Sequence, residues 1–391
     1  FSAADALSQL GAQVTVIDAA DDDSRRERAE ILDTIGVRVL LGHEGMAPHD
    51  TDLLVVSPGL RPTAPVIVDA LDRGIPVWGE LELAWRVRHP DTAAAWLCVT
   101  GTNGKTTVTL MLESMLRAAG YRTTAAGNIG TSLVDVVMHD ELDVIAVEVG
   151  APQLPFVHSM SPVAAVCLNI ADDHIDHFGS MEAYVAAKAR VYERAQEAAV
   201  YNVQDGVTLR MVEQADVVEG CRAIGFTLGV PALSMLGVVD DVLVDRAFIA
   251  DRAETAQEMG LVTDVHPFAP HNVANALAAA ALARAFGVPP TAVRDGLRAF
   301  VPAAHRIASV GSVNGVHFVD DSKATNAHAA QTSLLAYEPI VWIAGGMAKG
   351  QEFDDLVRRS RDRLRAVVLL GVDRDVIGEA LARHAPDVPV M

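Results

Sequence analysis

One stretch, Gly101-Thr102-Asn103-Gly104-Lys105-Thr106-Thr107, constrains this chain more than any other. The apolar run Trp96-Leu97-Cys98-Val99 leads into it. Val108, Met111, Leu112, Met115 and Leu116 follow at the i, i+3, i+4, i+7 spacing of one buried helix face. Gly120 stands where such a helix takes its C-terminal cap. The spacing therefore predicts strand, glycine loop and helix in direct succession. In that setting backbone N–H groups and a helix N-terminus face an anion. Lys105 then reaches outer phosphates, and the Thr106 hydroxyl a Mg²⁺ ion. The general Walker pattern has glycine where this chain has Val99, and a plain glycine-rich turn is the alternative. The flanking elements favour a nucleotide-phosphate loop.

A chain of 391 residues, 50% hydrophobic and 21% charged, has the length of two or three domains of about 100–200 residues each. Its formal net charge of -20, with no long basic run, speaks against nucleic acid and anionic membrane as partners. Cys98, Cys167 and Cys221 are scattered without a Cys-x-x-Cys pair, and the first two sit in apolar, strand-like runs. That suits reduced, buried thiols and a cytoplasmic setting. The sequence shows no uncharged apolar run of membrane-spanning length and no signal-peptide pattern. A helix over 1–10 precedes the first strand, and 388–391 opens a strand that nothing completes. The expectation is a piece of a longer chain.

Residues 1–90 alternate helix and strand with short loops, the pattern of a parallel sheet covered on both faces. Strands are predicted over 13–18, 38–41 and 53–57, and helices over 24–35, 65–73 and 80–87. Asp18 ends a strand where a Rossmann-like sheet sets an acid against a nucleotide, and capping a helix is its other use. Ser57-Pro58-Gly59 also ends a strand, with turn-making as the simpler role. A polar segment over 88–92 reads as a linker. Beyond the phosphate loop come Gly127-Asn128-Ile129-Gly130 and strands over 143–149 and 163–170. Glu148 lies inside the first of these apolar strands. A buried carboxylate needs a partner, and Mg²⁺ beside Lys105 would serve. A salt bridge or an exposed strand end is the alternative.

Asp172-Asp173-His174-Ile175-Asp176-His177 follows a strand, where α/β sites collect, and reads as a metal cluster or a solvated acidic turn. A helix over 181–195 carries Lys188, which by its neighbours alone is a solvated lysine. His271-Asn272-Val273-Ala274-Asn275 opens an alanine-rich helix, its amides reading a base or capping the turn. His305-Arg306 precedes a strand over 316–320 and then Asp321-Ser322-Lys323-Ala324-Thr325-Asn326. A strand over 339–344 ends in Gly345-Gly346-Met347-Ala348-Lys349-Gly350, a second glycine-and-lysine loop. A helix over 353–360, a strand over 366–370 and a helix over 373–384 complete another α/β unit.

These motifs together resemble the Mur ligases of peptidoglycan synthesis across essentially the whole chain, and most closely their D-glutamate-adding branch. The family-wide signals are 101–107, Asp173-His174, Lys188, His271-Asn272 with Asn275, and His305-Arg306. Gly127-Asn128-Ile129-Gly130 and Asp321 to Asn326 point to that branch. The resemblance implies an α/β fold of three domains: a Rossmann-like UDP-substrate domain over 1–90, a P-loop ATP domain over 91–302, and a Rossmann-like amino-acid domain over 303–391. It implies an ADP-forming ligase that activates a carboxylate as an acyl phosphate for attack by an amine. The substrates would be ATP with Mg²⁺ at two sites, UDP-N-acetylmuramoyl-L-alanine and D-glutamate, in a cytoplasmic monomer.

Carried over by residue, the resemblance makes Gly101, Thr102, Asn103, Gly104, Lys105, Thr106 and Thr107 the phosphate loop. Thr106, Glu148, His174 and a carbamylated Lys188 become metal ligands, with Lys105, His174 and Lys188 at the chemistry. Asn272, Asn275, Arg306 and Asp321 would meet the base and ribose of ATP. Asn128 would face the muramoyl acyl end, Lys323, Thr325 and Lys349 the D-glutamate side, and Asp18 and Ser57 the UDP. The chain departs from the family at Val149-Gly150-Ala151-Pro152, where hydroxyls are usual. It departs again at Met347-Ala348 in the second glycine loop and at His177, where arginine is common. Another amino-acid-adding ligase, including the folylpolyglutamate type, a P-loop NTPase or an ATP-binding regulatory protein are the alternatives.

Overall fold

The computed structural model describes all residues except Glu44, Pro90, Asp140, His174 and Lys349. The first ninety residues hold helices α1 (Ser2–Gln9), α2 (Asp23–Thr34), α3 (Pro65–Asp72) and α4 (Glu80–Val87), with strands β1 (Thr15–Asp18), β2 (Arg38–Leu41), β3 (Leu54–Val56) and β4 (Val77–Gly79). The strands pair in parallel as β1 with β2 and β3 with β4, two separate ribbons among the described residues rather than the single sheet expected.

A nine-stranded sheet follows, from β5 (Ala95–Thr100), β6 (Thr123–Gly127), β7 (Val144–Glu148), β8 (Ala164–Cys167), β9 (Ala198–Asn202), β10 (Arg222–Phe226), β11 (Met235–Val239), β12 (Val242–Asp245) and β13 (Gln257–Leu261). Its order is β13-β12-β11-β10-β9-β8-β5-β7-β6, parallel from β6 to β11 and antiparallel beyond. Helices α5 (Lys105–Ala118), α6 (Leu133–His139), α7 (Ile175–Phe178), α8 (Met181–Ala189), α9 (Gly206–Glu213), α10 (Pro270–Ala285) and α11 (Pro290–Ala299) accompany it. The chain then adds a hairpin of β14 (Ala308–Val313) and β15 (Val316–Asp320). Helix α12 (Ala327–Leu334), strand β16 (Ile340–Gly345), helix α13 (Asp354–Ser360), strand β17 (Leu364–Leu370) and helix α14 (Arg374–His384) follow. Strands β16 and β17 pair in parallel. Val390 bridges to Val367, so the strand-like end over 388–391 finds a partner.

Two compact units result: residues 1–264 with 275–300, and residues 265–274 with 301–391. In the larger unit, Val108, Met111, Leu112, Met115 and Leu116 are each 0% exposed, as the helical spacing predicts. Helix α11 crosses this helix at Gly296, where a Cβ would stand 2.5 Å from Met115 Cα. On the other side of the sheet, Trp96, Cys98, Ile145, Val147, Ala165 and Cys167 join Leu81, Leu83 and Leu154 in one core.

Register brings the carboxyl ends of the strands level. Val99 and Gly127 both lie opposite Glu148, and Cys167 lies opposite Thr100 and Tyr201. The helix expected over 181–195 ends sooner, because a 3-10 turn at Arg190–Tyr192 drives Tyr192 into the core. There its hydroxyl donates to Val200 O at 2.6 Å and accepts from Cys167 N at 2.8 Å. The strand expected over 163–170 stops at Cys167, because the next residues turn their backbone toward the phosphate loop.

Candidate active site

Gly101 and Gly104 take φ values of +146° and +88°, which lets the loop wrap tightly ahead of α5. Side chains are also excluded by space. A Cβ on Gly101 would lie 2.9 Å from Leu168 Cβ, and one on Gly104 would lie 2.6 Å from Asn275 Oδ1. Asn275 thus sits directly over the loop. Helix α5 starts at Lys105 with no side-chain cap, so its first N–H groups point into the loop. Lys105 Nζ folds back onto Gly101 O and Thr102 O, both at 3.0 Å.

Glu148, at the end of β7, is 2% exposed. Its Oε2 accepts from Thr106 Oγ1 at 2.8 Å and its Oε1 from Asn128 Nδ2 at 3.0 Å. The exposed strand end is thus excluded, and a hydroxyl and an amide donate to the carboxylate. Asn128 N also donates to Glu148 O at 2.9 Å, so this side chain is aimed at the carboxylate. A carboxylate and a hydroxyl converging beside a phosphate loop are hard oxygen donors of the kind Mg²⁺ takes. Among the described residues no group of three or more His, Cys, Asp or Glu gathers as a metal site. His174 lies outside the described residues, between Asp173 and α7.

Lys188 overturns its local reading. It is 1% exposed, on the face of α8 turned to the loop, with Nζ donating to Gly101 O at 2.8 Å and Thr100 Oγ1 at 3.4 Å. Burial, and then the charge of Lys105, pushes its pKa down to about 7. Tyr184, one turn earlier, stacks its ring 5.0 Å from the Nζ and shares a 2.9 Å hydrogen bond with Thr102 Oγ1. No local pattern singles out Tyr184, whose partner is 82 residues away.

The remaining predicted residues divide by location. Asp18 accepts from Ala20 N at 2.9 Å and from Arg25 Nε at 3.1 Å, while Asp22 caps α2. Ser57 Oγ accepts from Gly59 N at 3.5 Å in a turn. In the smaller unit, Asn272 Nδ2 donates to Pro267 O at 3.0 Å, and Asp321 Oδ1 accepts from Ile307 N at 3.1 Å. Burial raises the Asp321 pKa, against the pull of the Ser333 side chain, the Ile307 amide and Arg306. Lys323 and Thr325 are exposed on the turn before α12, and Lys349 lies outside the described residues.

A buried carboxylate that the sequence did not single out, Glu82, is structural. It accepts from His158 N, Ser159 N, Ser159 Oγ and Arg86 Nε at 2.6–2.9 Å. Burial alone would raise its pKa, but these donors hold it down at about 2.

Fold and loop together define an α/β protein with a glycine loop that opens a helix at the carboxyl edge of a parallel sheet. Residues 99–283 match the Mur ligase middle domain. The UDP-N-acetylmuramoylalanine--D-glutamate ligase of Streptomyces avermitilis is 59% identical over 390 residues, covering 100% of this chain and 83% of that protein. The same-named ligase of Thermobifida fusca is 52% identical over 389 residues, 99% of this chain and 83% of its own. Among solved structures, MurF of Acinetobacter baumannii superposes with a TM-score of 0.59 at 22% identity, over 76% of this chain and 67% of its own. MurC of Thermotoga maritima gives 0.56 at 20% identity, over 100% and 87%. The chain belongs to the Mur ligase family. Among the described residues no helix is long and apolar enough to cross a membrane.

Proposed function

We propose that this chain is an ATP-dependent ligase of peptidoglycan synthesis that joins D-glutamate to UDP-N-acetylmuramoyl-L-alanine through an acyl phosphate. The observation that carries this is the phosphate loop over 101–107, whose Thr106 donates to the buried Glu148, in a chain 59% identical to a ligase of that name.

A carboxylate does not acylate an amine unaided. Phosphoryl transfer from ATP turns its oxygen into a leaving group, and the amine of D-glutamate then displaces phosphate. Positioning and electrostatics do most of this work, so the loop amides and Lys105 stabilise charge on the phosphoryl group. Thr106 and Glu148 would hold Mg²⁺, with His174 and Lys188 completing a two-ion site. In this reading residues 1–90 hold UDP through Asp18 and Ser57, and 91–302 hold ATP. Residues 303–391 bring D-glutamate through Lys323, Thr325 and Lys349. Asn272, Asn275, Arg306 and Asp321 address the base and ribose, and Asn128 addresses the acyl end once substrate is bound. The working unit is a cytoplasmic monomer.

Lys188 fits a carbamate. Its buried nitrogen, close to the charge of Lys105, is poorly served as an ammonium. The neutral amine adds to the carbon of CO₂: an N–C bond forms, one C=O electron pair moves to oxygen, and a proton leaves the nitrogen. The resulting carbamate is an anionic oxygen ligand. The deciding assay is phosphate release with ATP and Mg²⁺, expected only when UDP-N-acetylmuramoyl-L-alanine and D-glutamate are both present. Release with either one omitted, or with a folate acceptor instead, would overturn the assignment.

A further inference from the structure

Strands β9, β8 and β5 are neighbours, and the loops leaving their carboxyl ends are tied together sideways by polar side chains. Beyond β9, Asn202 Nδ2 donates to Leu168 O at 3.0 Å, and Asp205 Oδ2 accepts from Ile170 N at 2.8 Å. These two contacts fix the segment after β8, which in turn fixes the phosphate loop. Asn169 Oδ1 accepts from Asn103 N at 2.8 Å, and Asn169 Nδ2 donates to Asn103 O at 3.0 Å. One side-chain amide thus pairs with both backbone groups of a single loop residue, as a strand neighbour would. On its flanks Thr102 N donates to Asn169 O at 3.0 Å, and Thr102 Oγ1 accepts from Ala171 N at 3.0 Å.

A loop with two glycines is the kind of backbone that loses most entropy when it is ordered. Ordering it before a ligand arrives removes that cost from binding. We infer that Asn169 is a positioning residue that presets the phosphate loop, with Asn202 and Asp205 as its outer brace. It acts by holding the peptide units around Asn103 in the orientation that sends the loop amides toward a phosphate. The inference rests on the phosphate-loop reading above.

The test compares wild type, Asn169→Ala and Asn169→Asp by hydrogen exchange over 99–108 in the ligand-free protein and by calorimetric binding of Mg²⁺-ADP. Asn169→Ala is expected to speed exchange in that segment about ten-fold and to weaken ADP about ten-fold, as for one lost side-chain amide pair. Exchange elsewhere and the KM for D-glutamate should not move. Asn169→Asp keeps the acceptor for Asn103 N but sets a carboxylate oxygen against Asn103 O in place of the donor, so exchange there should fall between wild type and alanine. Being isosteric, it also carries that arm if the alanine variant does not fold. Unchanged exchange and ADP affinity in Asn169→Ala would overturn the inference. So would faster exchange across the whole chain, or an aspartate variant as fast as alanine. Wild type that binds no ADP sinks the phosphate-loop reading and this inference together; ADP-binding wild type with an indifferent alanine variant sinks the inference alone.

Discussion

Two loops in this chain combine glycines with a lysine after a parallel strand, and they are built to opposite ends. The loop over 101–107 runs directly into α5, which begins at its own lysine. Gly101 and Thr102 are buried, and the amides at the start of the helix have no acidic cap. The loop over 345–350 is separated from α13, which starts only at Asp354. Its Ala348 N already donates to the Asp373 carboxylate at 2.8 Å, and Met347 is 69% exposed. Its glycines serve strand packing: a Cβ on Gly345 would lie 1.8 Å from Leu370 O, and one on Gly371 would lie 2.5 Å from Gly346 N. Similar letters thus open a helix in one place and serve a tight strand pairing in the other. The difference lies in where the helix begins and in what ties the loop amides: a backbone carbonyl and a neutral side-chain amide at Thr102 and Asn103, a carboxylate at Ala348.

The strongest way to break this contrast is Lys105→Ala. Phosphate release should fall by more than about a hundred-fold, the scale of losing one group that stabilises the reacting charge, with an unchanged circular dichroism spectrum. Near-normal turnover would place the anion site elsewhere.

Lys188→Ala should be almost as damaging, and a short-chain carboxylic acid added to the assay should restore part of the rate by filling the vacated ligand position. Lys188→Arg should not be rescued, because the guanidinium keeps its charge and occupies the space. Full activity of Lys188→Ala without added acid would return this lysine to a packing role.

Lys349→Ala should raise the KM for D-glutamate by about ten- to a hundred-fold, the loss of one charge-assisted hydrogen bond, and leave the KM for ATP unchanged. An equal rise in both would mean that the second loop also handles nucleotide, and the contrast would dissolve.

The smallest effect is expected at the contact that occupies an amide of the second loop. Asp373→Ala should cost about 1–3 kcal/mol of stability, the range for a hydrogen bond to a charged group, without changing the KM for ATP. This is read from denaturant unfolding alongside steady-state kinetics. A lower KM for ATP would show that the carboxylate had been masking a phosphate site.

Much of the fold was legible because it rests on local period and punctuation. Strand β2, helix α4 and strand β15 stand where the pattern predicts, residue for residue. The face of α5 is buried at every predicted position. No element was predicted between 196 and 264, where β9 to β13 lie. The β11–β12 turn there uses Asp240 at a φ of +53° instead of the glycine that would have announced it. In the first ninety residues the strands were foreseen, but not their partition into two pairs, since pairing is a matter of distant partners.

The residue pattern alone called for a phosphate loop, since a glycine turn between an apolar strand and an amphipathic helix is the setting in which helix-start N–H groups face an anion. It also determined the family, through motifs spread along the whole chain. The burial of Lys188 emerges in the fold alone: among its alanine neighbours it reads as a surface residue, yet it is 1% exposed against Gly101 and Thr100. The tertiary structure alone decided that Asn128 and Thr106 meet Glu148, and that Asn169 grips Asn103. The physical reason is shared. Each of these contacts joins segments separated by 20 to 88 residues, and the sheet with its covering helices brings them within hydrogen-bond reach.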